Sequence, residues 1–223
     1  MNFFLFNPFK SFGVATFTRS SFSFMSSFQY ILFYKPFQVL SQFSPDGDKK
    51  TLADYLSGIE KNIYPVGRLD YDSEGLLFLT NDTSLNQKLL HPKNGHQKTY
   101  WVQVEGAVQE QDLENLKKGV NISVNGKVHK TLPAKANVIP EPASLPERNP
   151  PIRFRKNIPT SWLAITIGEG KNRQVRKMTA AIGFPTLRLI RAAIGSIQVE
   201  NLNPGDFRAL SAEEVKQLMQ KAV

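Results

Sequence analysis

The densest run of groups able to do chemistry is Gly67-Arg68-Leu69-Asp70-Tyr71-Asp72-Ser73-Glu74-Gly75-Leu76-Leu77-Phe78-Leu79-Thr80, in which three carboxylates lead directly into an apolar stretch. Leu76 to Leu79 has the length and character of a short, largely buried strand. Gly67 and Gly75 bracket a tight excursion before it, so Asp70 is expected on a loop held by rigid structure, a common seat of function. Three readings compete. In the simplest, Asp70, Asp72 and Glu74 are solvated turn residues. In the second, Asp70-x-Asp72-x-Glu74-Gly75 opens a calcium loop of the EF-hand kind. Asn81 then stands where a bidentate Glu is needed, and an apolar strand fills the positions of intervening ligands. The third reading, a catalytic Asp steered by cations, requires basic partners elsewhere in the chain.

Such partners are concentrated in one segment. From Arg148 to Arg191 there are ten Lys and Arg residues against one acid, Glu169, an excess equal to the +9 of the whole chain. Solvated charged faces usually mix signs, whereas a one-sided basic excess is the footprint of a polyanion, whose phosphates dominate nucleic-acid affinity. At 223 residues with 41% hydrophobic side chains the chain can bury a sizeable core. The lack of cysteine excludes disulfides, thiolate zinc sites and Cys nucleophiles. His91, His96 and His129 lack the spacing of a helical zinc pair. No metal site is expected, and any catalysis must rest mainly on carboxylate, hydroxyl, Lys and Arg groups.

The elements that must position these groups alternate between strand and helix. Residues 1–27, with eight Phe and no acid, are expected to be an unstructured extension, either an organellar transit segment or a stretch ahead of a true start at Met25. Strands are expected over Phe28–Tyr34, Lys98–Glu105 and Thr160–Ile167. Helices are expected from Thr51 with a Thr51/Asp54 capping pair, over Asp82–Leu90, over Gln109–Lys118 before Gly119, over Asn172–Ile182 before Gly183, and over Ser211–Ala222 with a Ser211/Glu214 capping box. Ile122–Lys130 reads as a hairpin around Asn125-Gly126, and the proline-rich run Pro133–Pro159 as an extended connection. The strand period puts Lys98, Tyr100 and Val102 on one face, so that an aromatic ring stands beside a cation; ordinary strand aromatics are the alternative. Arg173, Arg176 and Lys177 fall at i, i+3 and i+4 and are expected to share a helix face that attracts an anion.

Taken in order, Gly67-Arg68-Leu69-Asp70-Tyr71-Asp72-Ser73-Glu74-Gly75-Leu76-Leu77, Lys98-Thr99-Tyr100 and Glu169-Gly170-Lys171-Asn172-Arg173-Gln174-Val175-Arg176-Lys177-Met178 resemble the motifs of the RsuA/RluE group of pseudouridine synthases. Lys35-Pro36 resembles the first motif of that group and Leu187-Arg188-Leu189-Ile190-Arg191 its last, so the likeness covers roughly residues 28 to 215. The polar, proline-rich passage Glu141 to Thr160 resembles the RluE branch, whose members lack the S4-type RNA-binding domain that several relatives carry; only residues 1–27 precede the first motif here.

The resemblance implies an α+β fold: a curved, mixed and mainly antiparallel sheet with helices around it, two subdomains sharing the sheet, and a cleft across it. One catalytic domain would span residues 28–215, with a C-terminal helix over 211–223. It implies isomerisation of a specific uridine in large-subunit ribosomal RNA, free or in a pre-ribosomal particle, with neither cofactor nor metal. Asp70 would be the nucleophile, at ribose C1′ or uracil C6 of a flipped-out uridine. Tyr100 would stack on the uracil and take part in proton transfer, and Arg176 would pair with Asp70. Arg68, Lys98, Arg153, Arg155, Lys156, Arg173, Lys177, Arg188 and Arg191 would contact RNA. The chain is expected to act as a monomer away from membranes, in the cytoplasm, or in an organelle if the N-terminal segment is a transit peptide. The rival reading is an inactive RNA-binding or ribosome-assembly factor on the same scaffold, which would be free to lose Asp70, Tyr100 or Arg176.

Overall fold

In the computed structural model of the chain, residues 28–90, 96–143, 145–152, 155–199 and 202–219 are described. The Phe-rich N-terminal segment, His91, Arg153 and the last four residues, on which some of the expectations above fall, lie outside them. In chain order the elements are β1 (Tyr30–Lys35), β2 (Tyr64–Pro65), β3 (Glu74–Thr80), α1 (Thr83–Leu90), β4 (Lys98–Glu105), α2 (Glu114–Lys118), β5 (Asn121–Val124), β6 (Lys127–Lys130), β7 (Lys135–Ile139), β8 (Thr160–Ile167), α3 (Gln174–Ala181), β9 (Thr186–Ile194), β10 (Ile197–Gln198), β11 (Phe207–Ala209) and α4 (Ala212–Met219).

Nine of the strands form one sheet in the order β11-β1-β3-β9-β4-β8-β7, with β2 on β3 and β10 on β9, while β5 and β6 pair separately. The pairings are antiparallel except that of β3 with β9, which is parallel and rests on Glu74 opposite Ile190 and Gly75 opposite Arg191. The α+β architecture with a mixed, mainly antiparallel sheet is therefore as expected, and this short parallel seam joins its two halves. Gly75 makes the seam possible. Its φ is +102°, and an added Cβ would stand 2.4 Å from the Arg191 carbonyl oxygen and 2.6 Å from the Arg191 nitrogen, so any other residue would force β3 and β9 apart.

Every residue of β3 is buried, which explains its unbroken apolar run. β4 and β8 instead alternate. Tyr100, Val102 and Val104 pack with Leu163, Ile165 and Ile167 beneath Val175 and Met178 of α3. Trp101 and Trp162 belong to a second core with Leu76, Phe78, Ile190, Leu85 of α1 and Leu218 of α4. A third, of Ile31, Phe33, Leu77 and Leu79, lies beneath Leu52 and Leu56. Each fully buried side chain of this kind contributes about 1.5–3 kcal/mol of transfer free energy, so the cores on both faces of the sheet hold the seam from two sides.

The local signals are mostly realised. The Thr51/Asp54 box caps a single 3-10 turn over Leu52–Asp54. Asn125 and Gly126 take left-handed φ values of 49° and 76° in the β5–β6 hairpin, and the Ser211/Glu214 box caps α4 through bonds of 2.8 and 3.2 Å. Gln109–Lys118 divides into a 3-10 turn (Glu110–Leu113) followed by α2, ended by Gly119 at φ +87°. Three expectations need correction. The proline-rich connection contains β7, an edge strand on β8, where flanking prolines remove no ladder donors. Residues 186–194, read only as a motif, form the central strand β9. Glu74 and Gly75, placed on the loop, begin β3.

Candidate active site

Asp70 lies on the turn that enters β3, and three local devices fix it. The Ser73 amide donates to the Asp70 carbonyl at 3.0 Å, closing the turn. Ser41 Oγ accepts from the Leu69 amide at 3.1 Å and donates to the Leu69 carbonyl at 2.9 Å, clamping the preceding residue. The Gln38 amide donates to the Tyr71 carbonyl at 2.9 Å. Gln38 itself is in the left-handed region at φ 56°, and the loop that carries it is folded back by Lys35. That side chain is fully buried, and its ammonium donates to the carbonyls of Pro36 at 2.8 Å and Val39 at 2.7 Å. Burial draws the Lys35 amine down to about 7, against the pull of Glu74, Asp72 and Asp70. The sequence reading assigned Lys35 only to a motif; the available signal was a lysine ending an otherwise apolar strand.

The turn opens into a cleft of about 530 Å³ along one face of the sheet, lined by Arg68, Asp70, Lys98, Tyr100, Arg173 and Arg191 among others. Asp70 is about one-third exposed, and Tyr100 is 8% exposed with its ring in the cleft wall. Five cations, Arg68, Lys98, Lys171, Arg173 and Arg191, line the cleft against the carboxylates of Asp70 and Glu169. Glu169 is already engaged. It accepts from the Leu132 amide at 2.8 Å and the Gln174 amide group at 2.7 Å, and sits 3.2 Å from His129 Nε2. Although burial pushes it up, these bonds hold its carboxyl below the usual range. Burial draws the Lys98 amine down to about 8, with the Arg191 charge acting in the same direction.

The arginines are arranged differently from the expectation. Arg173 is not on the helix face with Arg176 and Lys177: at φ 52° it is the residue before α3, and that conformation turns its guanidinium toward the carboxylate turn. It donates to both oxygens of Asp72, at 2.9 and 2.7 Å, and its Nη1 stands 3.9 Å from Asp70 Oδ2. Arg176, expected opposite Asp70, lies 3.5 Å from Asp72 Oδ2 and donates to the Asp72 carbonyl. Burial raises Asp72, but the Arg173 hydrogen bond and the Arg176 charge outweigh it and hold the carboxyl below its ordinary range. Asp72 thus anchors two arginines beside Asp70, a role the sequence did not assign to it.

Two motif cations expected on RNA are interior. Arg188 is 5% exposed and donates to both oxygens of buried Glu74 at 2.8 Å. That pairing also removes Glu74 from any calcium-ligand set. Arg191, 4% exposed, forms part of the cleft lining and donates from Nε to the Leu76 carbonyl at 2.6 Å. Arg155 and Lys156 line a separate groove of about 490 Å³ at the other end of β4, where Arg155 is paired with Glu105 at 2.8 and 2.9 Å. Lys177 is half-buried on α3. Among the described residues, no helix is long and apolar enough to cross a membrane.

A fixed carboxylate and an aromatic residue share one cleft lined by five cations, an arrangement suited to receive an anionic polymer. The family model described as RNA pseudouridylate synthase matches residues 29–181, a span that takes in the turn, β4 and the start of α3. The chain belongs to the RNA pseudouridylate synthase family. It is 58% identical over 180 residues to a ribosomal large subunit pseudouridine synthase E of Vibrio parahaemolyticus, covering 81% of this chain and 73% of the relative. A protein of the same description from Xanthomonas axonopodis pv. citri is 48% identical, covering 80% of this chain and 92% of that one. Among solved structures, a pseudouridylate synthase superposes with a TM-score of 0.70 at 27% identity, covering 86% of this chain and 74% of its own. The likeness to RluE-type pseudouridine synthases seen in the ordered motifs is borne out by these relatives.

Proposed function

We propose that this pseudouridine synthase isomerises a specific uridine of large-subunit ribosomal RNA, with the Asp70 carboxylate as nucleophile. The observation that carries the reading is the meeting of Asp70, Tyr100 and Arg173 in one cleft lined by five cations, and the names of the relatives at 58% and 48% identity supply the substrate class. The reaction breaks the bond from uracil N1 to ribose C1′, turns the ring, and forms a bond from C5 to C1′. One proton leaves C5 and one is taken up at N1, so nothing is oxidised or lost. Asp70 would add to C1′ or to uracil C6, holding one fragment covalently while the ring turns.

A base inside a helix cannot reach such a cleft, so the target uridine must leave its stack. Tyr100 offers a ring for the extruded uracil and a hydroxyl for proton transfer from C5. Arg68, exposed at the rim, and Arg173 would hold the flanking phosphates, and Arg176 would act through Asp72 by holding the turn. Asp70→Asn tests the reading. It should abolish pseudouridine formation by the purified protein on large-subunit RNA, while RNA affinity stays within a few-fold. Turnover by Asp70→Asn, freed of host enzyme, would overturn the assignment. Unaltered pseudouridine maps of large-subunit RNA after deletion of the gene would overturn the substrate.

A further inference from the structure

Arg191 and Lys98 stand out in the cleft because their charges are unanswered. Arg191 is 4% exposed, yet its Nη2 is buried without a hydrogen-bond partner. Among the described residues, Lys98 donates only to the His96 carbonyl, at 3.3 Å. Neither has a carboxylate within ion-pair distance among the described residues. A buried donor left unmade costs about 1–3 kcal/mol, more when charged, so this pair is built to receive an acceptor. Their placement says where it must lie. Arg191 is directly opposite Tyr100 across the β9–β4 ladder, and Lys98 is two residues before Tyr100 on the same strand face. The two donors therefore lie beside the ring on which a uracil would stack, in the lining of the cleft.

We infer that Lys98 and Arg191 bind a carbonyl oxygen of the target uracil and stabilise the negative charge that develops there, and are not phosphate contacts. The inference rests on the pseudouridine synthase reading. Its chemistry is the same for either route of Asp70. Heterolysis of the C1′–N1 bond leaves its electron pair on the uracil, which spreads the charge over O2 and O4. Addition of Asp70 at C6 instead pushes the C5–C6 electron pair toward O4 as an enolate. In both cases a cation fixed beside the carbonyl binds the transition state more tightly than the neutral ring, which is the condition for accelerating the step. A phosphate is poorly suited to buried Arg191, because it keeps its hydration more readily beside the exposed Arg68 and Arg173.

The burial that draws Lys98 to about 8 adds a signature. The ionisable groups around it are Arg191 from β9, His96 on its own segment, Arg68 and Asp70 from the turn, and Glu169, Lys171 and Arg173 from the loop before α3. The ammonium is the active form, so the single-turnover rate at sub-saturating RNA, which reports the free protein, should fall as pH rises through about 8.

The test is Lys98→Met and Lys98→Arg in the full chain, with melting curves confirming that each is folded. At saturating RNA, single-turnover rate should drop roughly 10²–10³-fold in Lys98→Met, the loss typical of one oxyanion donor. RNA affinity and its salt slope should be unchanged, and Lys98→Arg should recover much of the rate while moving the alkaline limb upward. RNA carrying 2-thiouridine or 4-thiouridine at the target should narrow the gap between wild type and Lys98→Met, because sulfur accepts poorly from the ammonium. The inference is overturned if Lys98→Met reaches a near-normal saturated rate with a salt slope reduced by about 0.7–0.9, as for one lost phosphate contact. It also falls if neither thio substitution narrows the gap. A wild-type protein that leaves the uridine unchanged would instead sink the functional reading.

Discussion

Glu74→Gln removes one charge from the seam of the sheet while nearly keeping its shape. Glu74 and Arg188 are 2% and 5% exposed and joined by two hydrogen bonds of 2.8 Å. Losing one partner leaves a buried guanidinium without its counter-charge, and such a loss costs about 3–5 kcal/mol. Among the described residues, the groups beside the pair supply no replacement charge. Tyr34 has a buried hydroxyl without a partner, which can accept one hydrogen bond but carries no charge. Arg148, which is electrostatically coupled to both Glu74 and Arg188, adds a like charge. For a protein of this size each kcal/mol moves the midpoint by about 2–4 °C, so thermal unfolding at neutral pH should shift down by roughly 6–20 °C. Glu74→Leu combined with Arg188→Met should be less destabilising than either single change, since the apolar pair leaves no charge stranded. A midpoint shift under about 2 °C for Glu74→Gln would refute the reasoning, because breaking a desolvated pair cannot be that cheap.

Gly75→Ala should yield little soluble protein, since its Cβ would fall 2.4 Å from the Arg191 carbonyl oxygen at a φ of +102°, where both seam strands would have to move; wild-type melting would contradict this. Arg176→Ala should lose single-turnover rate that no RNA concentration restores, because the turn carrying Asp70 loses a support. Neutralising Arg155 and Lys156 should weaken RNA binding and flatten its salt dependence by about 0.7–0.9 per phosphate contact, with the rate recovered at saturation; the reverse pattern would exchange their roles. Finally, Arg208 donates to both oxygens of Glu214 at 2.6 and 2.9 Å and, with help from Ser211, lowers that carboxyl from the ordinary 4.5 to about 2. A depressed carboxylate stabilises above its unfolded value and loses that contribution as pH falls through its folded one. The melting temperature of Arg208→Ala should therefore depend less on pH than that of wild type between about 4.5 and 2, and parallel curves would show the pair to be idle.

Much of this molecule is written in short-range terms. The strands over Lys98–Glu105 and Thr160–Ile167, the Asn125-Gly126 turn and the capping pairs at Thr51 and Ser211 each depend on residues within a few positions, and each formed as read. The ordered motifs from Lys35-Pro36 through Gly67–Leu77, Lys98–Tyr100 and Glu169–Met178 to Leu187–Arg191 together pointed to the family. What faces what was decided only in three dimensions. Glu74 meets Arg188 across 114 residues, and Asp72 meets Arg173 across 101. Strand order alone puts β9 between β3 and β4. That order turns Arg188 and Arg191 from apparent surface cations into an internal ion pair and a buried donor in the cleft lining. A formal charge is a property of the residue, whereas its desolvation depends on every strand packed around it, and a sequence read segment by segment carries no term for that.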